Sequence, residues 1–164
     1  MAAWMYSFTA PADAGKAETW RELLGAAIAL TEAEPDAIAN MANLAALIWQ
    51  FVPRLNWAGF YRVIDGGLVL GPFAGKPACI RIAMGAGVCG TAAQDGTTQL
   101  VRDVHAFPGH IACDAESASE LVVPIRRDGV VIAVIDLDSP DVARFDAVDA
   151  AGLEALADAI ATRI

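Results

Sequence analysis

The 164-residue sequence predicts an α+β domain built on a largely antiparallel sheet. Three observations carry that prediction. Two helical patterns precede every strand signal, two turns centred on Asp-Gly join apolar runs into hairpins, and an amphipathic helical pattern closes the chain. Hairpins make antiparallel neighbours without crossover helices, which leaves the terminal helices to pack together on one face of the sheet. Apolar residues make up 56% of the chain, enough for a full core without disulfide staples, and no linker or repeat divides it. Residues 1–164 are therefore read as a single domain.

In chain order, Trp20, Leu23, Leu24 and Ile28 recur at helical spacing after a charged first turn. "EPDAIANMANLAALIWQF" starts a second helix, with Pro35 near its first turn and Pro53 just past its end. The pattern changes at Asn56. "NWAGFYRVIDGGLVLGPF" reads as a hairpin turning at Asp65-Gly66-Gly67, and "ACIRIAM" alternates with period two as a further strand. "GAGVCGTAAQDG" is a glycine-opened short helix and "TTQLVRDV" a short strand. Ala106 to Ser119 lacks periodicity, and a loop of that length inside a compact domain is usually functional. "ELVVPIRRDGVVIAVIDLD" is a second hairpin turning at Asp128-Gly129, and "DAVDAAGLEALADAIATRI" the closing helix.

Composition excludes several function classes. Net charge is −9, from 20 acidic against 11 basic residues, so a phosphate backbone would be repelled and nucleic acid is not an expected partner. The apolar segment Ala37 to Val52 is interrupted by Asn40 and Asn43 and falls short of the ~20 residues that a membrane span needs. It is read as a buried helix. The opening "MAAWMYSFTAPADAGKAE" lacks the basic-then-apolar layout of a secretory signal, which predicts a cytoplasmic protein. Three cysteines do not make a disulfide scaffold, and a disulfide in a reducing compartment would be catalytic and transient.

Candidate chemistry gathers in four places. "GAGVCG" at 85–90 matches G-x-G-x-x-G, but its helix runs out by Asp95-Gly96, too soon for a dinucleotide-binding crossover. What survives is a set of backbone N–H groups at a helix start, suited to a phosphate or carboxylate. His105, His110, Cys113 and Asp114 are ligand types at short spacing, yet they lack a paired C-x-x-C or an H-E-x-x-H helix, and no metal is expected. Cys79 lies in an apolar strand pattern and Cys89 at a helix start, where buried inert thiols are common; Cys113, in the polar loop "GHIACDAES", is placed for a reactive thiolate. Asp114, Glu116, Glu120, Asp136 and Asp138 surround that thiol. Asp136 and Asp138, two apart on a strand, face the same way. Such a cluster opposes thiolate formation, so it implies a positively charged substrate group or a proton donor. Trp57, Phe60 and Tyr61 add aromatic faces that ordinary strand spacing assigns to core more often than to pocket.

Taken together, "NWAGFYRV", "LVLGPFAGKPACIRI", "GAGVCGTA", "VRDVHAFPGHIACDAES", "SELVVPI" and "VIDLDSP" closely resemble the free methionine-R-sulfoxide reductases, which are stand-alone GAF-fold enzymes. The resemblance runs in order from Asn56 to about Phe145 and implies reduction of free methionine-R-sulfoxide to methionine, with thioredoxin as reductant and no cofactor. In the family pattern Cys113 matches the catalytic cysteine, Cys79 the one that forms a disulfide with it, and Cys89 a third cysteine, an alternative resolving thiol. Glu120, Asp136 and Asp138 match substrate-site carboxylates, and Trp57 and Tyr61 the aromatic pocket wall. A homodimer is what the resemblance suggests. Ala133 and Ala118 depart from the residues common at their positions, which bears on fine specificity and removes no reactive group.

Chemistry supports the same residues. A sulfoxide sulfur is a poor electrophile until its oxygen is protonated, and a carboxyl in a closed pocket has the raised pKa to do this. Glu120, alone or with Asp138, is the expected donor while the Cys113 thiolate attacks sulfur. The alternatives are a catalytically silent GAF domain that senses a small ligand or redox state, and a metal or haem sensor using His105, His110 and Cys113.

Overall fold

A computed structural model describes residues 8–9, 13–111 and 114–164. Helix α1 spans Lys16–Thr31 and α2 Ala37–Phe51, where the Asp36 side chain caps the first turn by accepting from the Ala39 amide at 2.8 Å. The strands are β1 Trp57–Ile64, β2 Gly67–Gly75, β3 Arg81–Ala83, β4 Gln99–Val101, β5 Ser119–Arg127 and β6 Val130–Ser139. Helix α3, Gly87–Asp95, lies between β3 and β4; a single 3-10 turn, Val104–Ala106, follows β4; and α4, Ala147–Ile160, closes the chain. The strands form one sheet in the order β3-β2-β1-β6-β5-β4, every neighbouring pair antiparallel. The chain is a single α+β domain of the kind the sequence predicts.

Both hairpins turn where the Asp-Gly pairs stand. Asp65 and Gly66 have φ of 52° and 77°, and Asp128 and Gly129 have 52° and 80°, the left-handed pair that a two-residue hairpin loop demands. The two hairpins then pair with each other through β1 and β6.

Period-two alternation sends the strands' side chains to opposite faces. Ala58 and Phe60 of β1, Leu121, Val123 and Ile125 of β5, and Ala133, Ile135 and Leu137 of β6 join the main core under α1, α2 and α4. The terminal helices thus pack together on one face. Segment 37–52 is a one-sided helix, since Ile38 and Trp49 reach solvent while Leu44 and Ile48 are fully buried. Helix α1 docks on α4 through Trp20, whose ring lies so close to Gly152 that a Cβ there would sit 2.3 Å from it.

On the opposite face a second cluster forms from Trp57 and Tyr61 of β1, Val122 of β5, Val134 of β6 and the buried side of α3. Glu120, Asp136 and Asp138 alternate onto this same face. A bulge in β2 at Gly71–Pro72 places three steps of β2 against two of β1, so Leu70 and Phe73 both join it. Cys79 differs from its predicted place: β3 begins only at Arg81, and Cys79 lies half-buried on the loop before it. The β3 ladder pairs only with Gly67 to Val69, short of the point where β2 bulges.

Candidate active site

The site lies on the face of the sheet away from the three long helices. Register builds it. Trp57 pairs directly with Asp138 across β1 and β6, and Asp138 pairs directly with Glu120 across β6 and β5. Directly opposed residues point the same way, so three strands deliver an indole and two carboxyls to one row. Asp136, two residues from Asp138, pairs with Gly59 and Val122 on the same face. The missing side chain at Gly59 matters, because a Cβ there would lie 2.7 Å from the Trp57 ring and 2.4 Å from the Phe73 Cβ. Trp57 spreads over that gap, stacked on Phe73 at 5.3 Å and on Tyr61 at 5.8 Å between ring centroids. Its Nε1 donates to the Lys76 carbonyl at 3.1 Å, and Tyr61 Oη donates to the Cys79 carbonyl at 3.0 Å. The two aromatics therefore hold the β2–β3 loop, with Cys79 on it, against the sheet.

These residues enclose a cavity with an empty volume of about 540 Å³, counting its open mouth. Glu120, Asp136 and Asp138 form its floor, Trp57 and Tyr61 one wall, and the start of α3 from Gly87 to Cys89 another. Loop residues His110, Ile111, Asp114 and Ser117 border it on the remaining side. Gly85 and Gly87 take positive φ, and a Cβ on Gly90 would lie 2.4 Å from the Ala83 carbonyl oxygen. The glycines of "GAGVCG" thus let α3 turn sharply off β3 and pack against it. Strands β3 and β4 stand at opposite edges of the sheet, so the motif belongs to no parallel crossover. No side chain caps α3, and its first turn, Gly87 to Cys89, lines the cavity.

Electrostatics in the floor are dominated by burial. Burial pushes the Glu120 carboxyl well above the usual carboxylate range, and the neighbouring Asp136 and Asp138 charges push it further. Asp138 is raised well above its ordinary value by burial and then by Asp136. Asp136 is pushed up to about 7, again by burial, although hydrogen bonding with Cys89 and Glu120 acts in the opposite direction. Burial thus favours the protonated form of every carboxyl in the floor. The Cys89 thiol, 4% exposed with Sγ 3.9 Å from Glu120 Oε1, is raised well above its ordinary value by burial and then by Asp136 and Glu120, so it stays a thiol. His110 is lowered by burial and by His105, which leaves a neutral imidazole with Nε2 3.9 Å from Glu120 Oε2. Cys89, Glu120 and Asp136 each offer a donor atom within 4.8 Å of the others, the one arrangement among the described residues able to hold a metal ion.

Comparison with known proteins places this arrangement. The GAF domain family model matches residues 38–164. The chain is 48% identical to the free methionine-R-sulfoxide reductase of Escherichia coli, covering 78% of each chain. To the Saccharomyces cerevisiae free methionine-R-sulfoxide reductase it is 46% identical over 87% of this chain and 83% of the other. The solved structure of the Neisseria meningitidis free methionine-R-sulfoxide reductase, in complex with its substrate, superposes with a TM-score of 0.93. That match is at 43% identity and covers 97% of this chain and 95% of the other. The chain belongs to the GAF-domain free methionine-R-sulfoxide reductase family.

Within this reductase scaffold the predicted residues divide clearly. Trp57, Tyr61, Cys89, Glu120, Asp136 and Asp138 meet around one cavity. Phe60 turns to the opposite face and belongs to the core. Glu116 is exposed and pairs with Lys76, so only four of the five expected carboxylates reach the cavity. Cys113 lies outside the described residues. Asn56 and Ser117 escaped sequence reasoning: Asn56 Nδ2 donates to Ser117 Oγ at 3.0 Å and to Asp114 Oδ2 at 3.3 Å, pinning the reductase loop to the start of β1. A lone Asn before a strand carries no pattern that would have found it. Lys76 was likewise unmarked, yet its Nζ lies 3.5 Å from Asp114 and bonds Glu116, both just after Cys113 in the chain.

Proposed function

We propose that this protein reduces free L-methionine-R-sulfoxide to L-methionine by thiol chemistry. One observation carries the reading beyond family membership: Glu120, Asp136 and Asp138 are buried at the floor of an aromatic-walled cavity, where burial raises all three above the usual carboxylate range. A proton donor is what a sulfoxide oxygen needs, and a closed carboxyl cluster supplies one without an added cofactor.

The Cys113 thiolate attacks the sulfoxide sulfur while Glu120, with Asp138 beside it, protonates the oxygen. Oxygen passes to Cys113, leaving methionine and a cysteine sulfenic acid. The Cys79 thiol then attacks the sulfenic sulfur, a disulfide forms and water leaves. The Tyr61 hydrogen bond to the Cys79 carbonyl, which ties that loop to the sheet, supports this role. Cys89 is the second candidate resolving thiol, and its burial among acids ranks it behind Cys79. A dithiol protein of the thioredoxin class returns both cysteines to thiols, in keeping with a cytoplasmic, reducing setting. Among the described residues no helix is long and apolar enough to cross a membrane.

The amino-acid half of the substrate is held by the same cavity. Its ammonium meets Asp136 or Asp138, and its carboxylate the N–H groups at the start of α3 near Gly87 to Cys89. The methyl lies on the Trp57 indole, which sets the choice of epimer. The homodimer implied by the resemblance forms part of this proposal.

The test offers R- and S-sulfoxides of free methionine to the protein with a dithiol reductant and follows methionine. Turnover of the R epimer alone is expected. Equal rates on both epimers, or none on either, would overturn the reading. A silent ligand-sensing GAF domain predicts the latter.

A further inference from the structure

The geometry points to a cation site in the same cavity, where Cys89, Glu120 and Asp136, with His110 as fourth donor, bind a divalent ion of the Zn²⁺ class and exclude the sulfoxide. Donor atoms of the first three lie within 4.8 Å of one another, and Cys89 Sγ is 3.9 Å from Glu120 Oε1. His110 Nε2 stands 3.9 Å from Glu120 Oε2 on the other side of that carboxyl. Zinc bonds of ~2.0–2.3 Å place tetrahedral donors roughly 3.5 Å apart, so a small closure brings the first three donors to a metal. His110, which lies outside their 4.8 Å group, joins them by a larger turn of its side chain.

A second observation points to a ligand here. Asp136 is 6% exposed, and its Oδ1 is buried with no hydrogen-bond partner among the described residues. Such an oxygen is costly unless something arrives to meet it. The lysine on the cavity rim, Lys76, is held outward by Glu116 and Asp114 and leaves the floor without a cation. The donor set decides which cation fits. One sulfur, one imidazole nitrogen and two carboxylates suit Zn²⁺ or Co²⁺, whereas Mg²⁺ and Ca²⁺ prefer oxygen donors throughout. An ammonium satisfies the carboxylates but leaves the thiol unused. Because the metal would occupy the same cavity floor, through Glu120 and Asp136, that the substrate needs, binding of one excludes the other. This competition rests on the proposed substrate site; metal binding itself does not.

The binding test needs no turnover. A Cys79→Ser/Cys113→Ser double variant, whose fold is checked by circular dichroism, retains Cys89 as its thiol and is titrated with Co²⁺. Saturation at one equivalent is expected, with a thiolate-to-cobalt charge-transfer band that Zn²⁺ abolishes. Adding Cys89→Ser should remove the band, and adding Asp136→Asn should weaken binding by more than about tenfold. No band, or a band that survives Cys89→Ser, overturns the proposal. Should the double variant fail to fold, the reduced wild-type protein serves, with Zn²⁺ titrated against bound methionine sulfoxide. Mutual exclusion is expected, and simultaneous binding would contradict it. If the protein proves inactive on every sulfoxide, the cobalt result still stands or falls alone.

Discussion

Asp138 stands at the centre of the row that defines the cavity, with Trp57 on one side and Glu120 on the other, and Asp136 one strand step away. Three acids this close cannot all ionise in a buried floor. Glu120→Gln keeps the shape and a hydrogen-bond donor but removes the transferable proton. It should lower kcat by roughly 10²–10⁴-fold, the usual contribution of a positioned general acid, with little change in thermal stability. Asp136 makes a separate prediction through its titration. The folded protein keeps this proton up to about pH 7, whereas the unfolded chain loses it near 3.8. The folded state therefore binds more protons between those values, so the contribution to stability falls as pH rises across that window and is flat above it. Denaturant unfolding from pH 4 to 8 should show a shallower pH slope for Asp136→Asn than for wild type. Gly59→Ala drives a methyl into the Trp57 and Phe73 rings. It should cost about 1–3 kcal/mol and raise KM for the sulfoxide, because the indole must move off the site.

At the scale of elements, the loop bearing Cys79 and the loop around Cys113 are latched by Lys76, which reaches Asp114 and Glu116 from the end of β2. Lys76 is too exposed to matter much for stability, yet it bridges the two segments whose thiols are proposed to join. Lys76→Met should slow disulfide formation after methionine release while leaving that release unchanged. Raising salt should bring wild type towards the variant, because exposed ion pairs are screened, and Lys76→Arg should restore the rate. The elements themselves were legible because their signals are local. Asp-Gly at 65–66 and 128–129 names its own turn, and the alternation from Val130 to Ser139 names its own faces. What escaped was set by partners distant in sequence. Phe60 and Tyr61 are adjacent aromatics, and only the main core beyond the sheet shows that Phe60 belongs there while Tyr61 faces the cavity. The strand predicted through Cys79 was lost because β3 has pairing partners on β2 only from Arg81 onward.

Across the whole molecule, the cavity and the long helices occupy opposite faces of one sheet, so stability and chemistry separate. The helix layer is fastened by Asp149, 1% exposed, which accepts from Trp20 Nε1 at 3.1 Å, Lys16 Nζ at 2.6 Å and Arg144 Nη1 at 3.2 Å. Removing one member of a buried charged set strands the others. Asp149→Ala should therefore destabilise by about 3–5 kcal/mol in denaturant unfolding while sulfoxide turnover below its melting point persists. The cavity was legible as chemistry through the cysteines, carboxylates and aromatics. Its register across β1, β6 and β5 was not, since β1 and β6 lie over sixty residues apart in the chain. The central claim, a cysteine and protonated carboxyls acting together on a free sulfoxide, is tested most directly by a single turnover without external reductant. Fully reduced protein is mixed with excess free L-methionine-R-sulfoxide, and methionine and remaining thiols are counted. One methionine released and two thiols lost per chain are expected, with none released by Cys113→Ser and slow release by Glu120→Gln. Methionine formed at the wild-type rate by Cys113→Ser, or without thiol loss, would contradict it.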